Sequence, residues 1–288
     1  MSDRPLDEDS LARKAFRTIW NRKTVAVCIL IICVIAALAI FIDVISPHSA
    51  SAIKASRRLK PPSAVNWFGT DEYGRDLFTR VCTGGRTSLL IGFLTVVFSC
   101  FFGTILGIVG GYFRKVDMLV NRVIDAMMAF PDILLAITLM SVLSPSVSSV
   151  VIALGIVYTP RVARVARAST LVVRELAYVD AAKVLGVSTP HILFQHILRN
   201  ITSPLIVQGT FIFAYAILAE AGLSYLGAGV NPEIPTWGGI INAGQTYIGK
   251  APWIMWFPGI FIVLTVFSLQ LSGDALRDIL DPRLRKEC

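Results

Sequence analysis

Along this chain, apolar runs long enough to cross a bilayer alternate with short polar, basic pieces. The first run, residues 24–42, holds no charged residue. At about 1.5 Å per residue it spans about 28 Å, close to the roughly 30 Å of a hydrocarbon core. The second, 88–112, carries Gly103, Gly107 and Gly111, a repeated small-xxx-small face on which a neighbouring helix packs closely. The third, 120–143, is entered through Asp117, Arg122 and Asp125 and interrupted at Pro131-Asp132. The fourth, 147–165, contains Pro160; the fifth (203–226) and sixth (254–271) flank a loop with Pro and Trp. The pattern predicts an all-α polytopic membrane protein with six transmembrane helices and both termini on one side.

Residues 174–200, between the fourth and fifth runs, break this pattern. They are polar and basic and read as a helical hairpin. Residues 178–185 form helix readily, and Ala181 and Ala182 make a smooth patch that another backbone can approach. Gly186 supplies the left-handed residue that ends such a helix. Ser188, Thr189 and Pro190 then provide cap and first-turn chemistry for a second helix through Leu198.

Composition agrees with the membrane class. Hydrophobic residues make up 55% and charged residues 16%, with mean hydropathy +0.67, whereas soluble domains are about a quarter charged. The net charge of +8 comes from short basic pieces between apolar runs, so it orients a membrane protein and implies no nucleic acid. With the N-terminus inside, nineteen of the 27 Lys and Arg fall in cytoplasmic pieces. Seven of the remaining eight sit in the first outer loop, which is the exception to the pattern, although longer loops obey the rule less strictly. Both termini and the hairpin are therefore expected in the cytoplasm. The division is a tail (1–23) with a short amphipathic helix near 11–20, a first membrane helix (24–45), an outer loop (46–83), a membrane domain (84–274) and a second tail (275–288). Ala50-Ser51-Ala52 resembles a signal-peptide cleavage site, but the long apolar run and long basic lead favour a retained signal-anchor. Five cysteines, Cys28, Cys33, Cys82, Cys100 and Cys288, form no framework and read as small buried hydrophobes.

No catalytic set is visible, so an enzyme is not expected. Residues 244–250, GQTYIGK, match a phosphate-loop pattern. Ala251 stands where Ser or Thr must reach Mg²⁺, and Pro252 spoils the next turn. His191 and His196, five apart, cannot share one metal from a regular helix, so no metal site is expected. Ionisable groups within spans are costly. This makes Asp132 and Glu220 candidates for a water-filled translocation path, against an inter-helix hydrogen bond or an Arg partner. Arg161, Arg164 and Arg167 form a basic stripe that anionic headgroups suffice to explain.

The hairpin resembles the cytoplasmic coupling loop of ABC importer permeases, whose E-A-A…G pattern appears here as Asp180-Ala181-Ala182 and Gly186. Residues 67–92, WFGTDEYGRDLFTRVCTGGRTSLLIG, are similar to the GTDxxGRD segment of the oligopeptide, dipeptide and nickel permease group. So are LSYLGAG (223–229), PTWGGII (235–241), PWIMWFPG (252–259) and GDALRDILDP (273–282) to the end of that group. The resemblance implies the second permease of a pair, in the bacterial cytoplasmic (inner) membrane. It implies a second homologous permease, two ATPase subunits that use ATP and Mg²⁺, and an extracytoplasmic solute-binding protein. This chain itself would bind no cofactor. Asp180, Ala181, Ala182 and Gly186, with Tyr178 and His196, would couple to the ATPase. Short peptides are the implied substrate, with nickel or another small solute as the alternative. An ion-gradient-driven transporter would show inverted repeats, which are not evident. Two departures stand out: Asp180 replaces Glu, and Arg199 replaces a Pro before Asn200, so the second coupling helix is free to run on.

Overall fold

The computed structural model describes residues 23–280; the amphipathic helix expected near 11–20, and Cys288, lie outside them. The described chain is helical: α1 Lys23–Ile45, α2 Leu77–Tyr112, α3 Arg114–Met128, α4 Asp132–Val142, α5 Val147–Val173, α6 Ala177–Val184, α7 Thr189–Tyr225, α8 Trp237–Gly244 and α9 Trp253–Leu280. Among the described residues no strand forms, apart from one isolated bridge between Thr70 and Asp76.

Five helices, α1, α2, α5, α7 and α9, are long and apolar enough to cross a membrane. The expected third span is two helices, α3 and α4, bent by 93°. Counting that pair as one broken span gives six. Pro131 causes the break: it lacks an N–H and pushes the residue before it out of helical geometry. Its own backbone is extended, at φ −57° and ψ 131°.

The second span begins at Leu77, well before the expected Ser88. The Asp76 carboxylate accepts from the Thr79 N–H at 2.9 Å, capping the helix. The charges that read as loop are neutralised in place. Arg80 faces Asp71 at 3.4 Å. Arg86 donates to the Ala39 and Ile40 carbonyls of α1, both at 3.0 Å, and pairs with Asp43 at 2.9 Å. The preceding loop is also built: Asp71 accepts from the Tyr73 and Arg75 N–H groups (2.9 and 2.8 Å) and from Arg75 Nε (2.6 Å). Trp253 Nε1 donates to the Thr70 carbonyl at 3.2 Å, tying that loop to the start of α9.

The bundle is held by close contact of α2 and α5. A Cβ on Gly103, Gly107 or Gly111 would lie 2.5 Å from Val162 Cβ, 2.4 Å from Ala166 Cβ and 2.7 Å from Thr170 Cβ respectively. The three glycines therefore let two backbones meet where any larger residue would hold them apart. One core cluster joins α2, α4, α5 and α7 around Leu154 and Ile212. Another joins α1, α2, α7, α8 and α9 around Trp237. The expected Pro- and Trp-containing loop thus holds a helix of its own, α8, whose buried Trp237 donates from Nε1 to the Val81 carbonyl at 2.9 Å. The fourth span continues to Val173 through Pro160.

Candidate functional site

At one end of the bundle, α6 and the start of α7 form the hairpin read from the sequence. Gly186 has φ +77°. The Val187 N–H donates to the Ala182 carbonyl at 3.0 Å and the Gly186 N–H to the Lys183 carbonyl at 3.1 Å. This pair of bonds satisfies the last carbonyls of a helix closed by a left-handed residue. Val179 and Ala182 are buried against Ile108 of α2, Ala166 of α5, and Ile192 and Ile197 of α7. Arg174 Nη1 donates to the Gly111 carbonyl at 2.6 Å, fastening the hairpin base to α2. The element is anchored to three spans.

The smooth patch is half of what the sequence suggested. Ala181 is exposed, but Ala182 is turned into its own chain, because neighbours on a helix point about 100° apart. The exposed surface is the tip instead: Val184 and Leu185 are 88% and 81% exposed. Asp180 is exposed and pairs with Lys183 at 2.8 Å. Tyr178 lies beside His196, with ring centroids 5.8 Å apart.

The second half of the hairpin does not end. Residues 192–198 are π-helical and lead without a break into the long part of α7. Arg199 is helical (φ −59°, ψ −37°), so the run continues through the place where the resemblance expected a Pro. The wider turn also corrects the reading of the two histidines. A π-helix sets i and i+5 one above the other, and the His191 and His196 rings lie 6.0 Å apart. Among the described residues no group of three or more His, Cys, Asp or Glu is placed to hold a metal.

The basic stripe expected to meet headgroups meets carboxylates. Arg167 donates to Asp117 from Nε and Nη2 at 2.5 and 2.7 Å. Arg164 pairs with Asp125 at 2.7 Å. Arg161 pairs with Asp132. This ladder fastens both halves of the bent pair, α3 and α4, to α5. Arg161 also lies over the rings of Tyr158 and Tyr215, at 5.3 Å from each centroid.

The two path candidates part ways. Glu220 is fully buried. It accepts from Ser88 Oγ of α2 at 3.0 Å and from Ser224 Oγ at 2.8 Å. Ser88 Oγ in turn accepts from the Trp237 N–H at 3.2 Å. Glu220 is thus the centre of an inter-helix hydrogen-bond node joining α2, α7 and α8. Asp132 is only partly covered, at 39% side-chain exposure. Neither lines the cleft of about 730 Å³ that Ser169, Asn200, Gln208 and Arg277 border between α5, α7 and α9.

Residues 103–286 match the family described as the binding-protein-dependent transport system inner membrane component. The chain belongs to this family. It is a permease of such a transport system and a multi-pass protein of the inner membrane. It is 46% identical over 271 residues to a Brucella suis protein provisionally named a peptide transport system permease, covering 94% of this chain and 92% of that one. It is 42% identical over 274 residues to the dipeptide transport system permease protein DppC of Alkalihalophilus pseudofirmus, covering 95% and 90%. Its fold is that of a chain in an inward-facing MetNI methionine ABC transporter structure, at TM-score 0.59 and 18% identity, covering 70% of this permease and 96% of that chain.

Sequence reasoning missed the partners more than the residues. Arg161, Arg164 and Arg167 were visible, as were Asp117, Asp125 and Asp132, but nothing local says they pair. Tyr215 carried no signal separate from the apolar run around it, and Ser88 and Trp237 stood inside the motifs at 67–92 and 235–241 with nothing local to say that they join one node with Glu220.

Proposed function

We propose that this permease carries short peptides into the cytoplasm, driven by ATP that two partner ATPase subunits hydrolyse with Mg²⁺. A second homologous permease completes the path, and an extracytoplasmic solute-binding protein delivers the substrate. Both termini and the hairpin lie in the cytoplasm, in keeping with the excess of Lys and Arg in those pieces. The observation that carries the reading is the hairpin: a tip with Val184 and Leu185 exposed, on an element anchored to α2, α5 and α7. Exposed apolar side chains on a rigid element suit a protein partner, and the anchoring passes a partner's motion to the spans. Alternating access requires contacts that differ between two states, and Asp180, Ala181, Gly186, Tyr178 and His196 frame the surface that would make them. Relatives named for peptide and dipeptide transport support the substrate class.

The test is uptake of labelled dialanine into proteoliposomes holding the whole complex, with ATP inside and the binding protein outside. Uptake should need ATP, the ATPase subunits and the binding protein, and should persist when the proton gradient is collapsed. ATP-independent uptake by this chain alone would overturn the proposal.

A further inference from the structure

The Arg161–Asp132 pair is placed where an ion pair is hard to keep. A Cβ on Gly103 would meet the Thr159 carbonyl at 2.9 Å and Val162 Cβ at 2.5 Å, which sets Arg161 level with Gly103. Between Arg86 and Arg114, α2 holds no charged residue. Gly103 lies about 16 Å, at about 1.5 Å per residue, from the nearer end of that stretch. That stretch is about 40 Å long against a hydrocarbon core of about 30 Å, so the pair lies within the apolar layer, on its hairpin side. Yet the side chains of Arg161 and Asp132 are 32% and 39% exposed. Charges at this depth are not turned to lipid; they face a protein partner or water.

The chemistry of the pair is unfinished. Arg161 gives Asp132 its Nη2, and among the described residues no other ion pair engages its guanidinium, which carries five N–H donors in all. Tyr215, beneath that guanidinium, is 41% exposed. The pair also straddles a joint. Asp132 opens α4 directly after the 93° bend, whereas Arg161 is fixed in the middle of α5.

We propose that Arg161 and Asp132, with Tyr215, form an intramembrane contact site for the charged main-chain ends of a short peptide in transit. The peptide α-carboxylate takes the Arg161 fork, and the α-ammonium takes Asp132. A zwitterion exchanged into an ion pair leaves the net charge of the site unchanged, so passage adds no uncompensated charge to the apolar layer. A guanidinium binds a carboxylate through two parallel N–H donors, and Tyr215 supplies a ring that holds the guanidinium flat. The proposal rests on the peptide-importer reading and extends it to named residues.

The test uses the complete complex in proteoliposomes with the binding protein saturated by each probe, so that its own affinity does not enter. The probes are dialanine, dialanine amide and N-acetyl-dialanine. Arg161→Gln is expected to slow dialanine by about tenfold or more, the worth of one charged hydrogen-bond contact, and dialanine amide far less. Asp132→Asn should level the difference between dialanine and its N-acetyl form. An equal loss for all three probes, or no loss, overturns the proposal and leaves the pair as a fastening of α4 to α5. If Arg161→Gln does not co-purify with its partner subunits, Arg161→Lys decides, because it keeps the charge and loses the fork. A selective loss for the free carboxylate supports the site, and a uniform one overturns it. A wild-type complex that carries none of the probes overturns the peptide reading itself, before any variant is compared.

Discussion

Ser88 Oγ donates to the Glu220 carboxylate at 3.0 Å while accepting from the Trp237 N–H at 3.2 Å. One hydroxyl thereby joins the second and fifth membrane helices to the short helix α8. Glu220 is the acceptor on which the arrangement depends, because Ser224 Oγ also donates to it.

Glu220→Ala is therefore expected to lower stability sharply. It leaves the Ser88 and Ser224 hydroxyls without their acceptor in a packed interior, and each buried unsatisfied group costs about 1–3 kcal/mol. Glu220→Gln keeps one acceptor oxygen and should cost less. Thermal unfolding of the detergent-solubilised protein checks the order: wild type, then Gln, then Ala.

Gly186 has open space around it, so its value is conformational. Gly186→Ala should cost about 1–2 kcal/mol of hairpin order through its left-handed backbone. Gly186→Pro also removes the N–H that donates to the Lys183 carbonyl at 3.1 Å. The proline variant should stay in the membrane yet lose transport and the ATPase. Undiminished ATPase in a pull-down would contradict the coupling role.

The hairpin tip allows a cleaner separation of docking from folding. Leu185→Asp changes an 81% exposed side chain, so thermal stability should stay within about 0.5 kcal/mol of wild type, as for surface changes generally. ATPase co-purification should fall. Ala182→Arg forces a charge into the cluster with Val179 and Ile192 and should lower both together.

Gly107→Val tests the α2–α5 contact. Even its Cβ would come within 2.4 Å of Ala166 Cβ and 2.6 Å of the Ala163 carbonyl. Overpacking of this kind costs about 1–3 kcal/mol or more. The expected outcome is a strongly reduced yield of folded protein, partly restored by Ala166→Gly, which clears the nearer contact.

The amino-acid sequence by itself determined the membrane class, the approximate place of the spans, the hairpin with its Gly186 turn, and the family. These are local properties: an apolar run of membrane length, a residue without a Cβ at a helix end, and motifs in collinear order are all legible within one segment. The 93° bend was half legible, since Pro131 marks the break but not the angle. Only the tertiary structure decided that Arg161, Arg164 and Arg167 meet Asp132, Asp125 and Asp117 rather than headgroups. It alone turned Ala182 inward, buried Glu220 against Ser88, and brought His191 and His196 together through a π turn. Each of those depends on a neighbour supplied by packing between helices or on a departure from the regular helical repeat. Neither is contained in the residue types of one stretch.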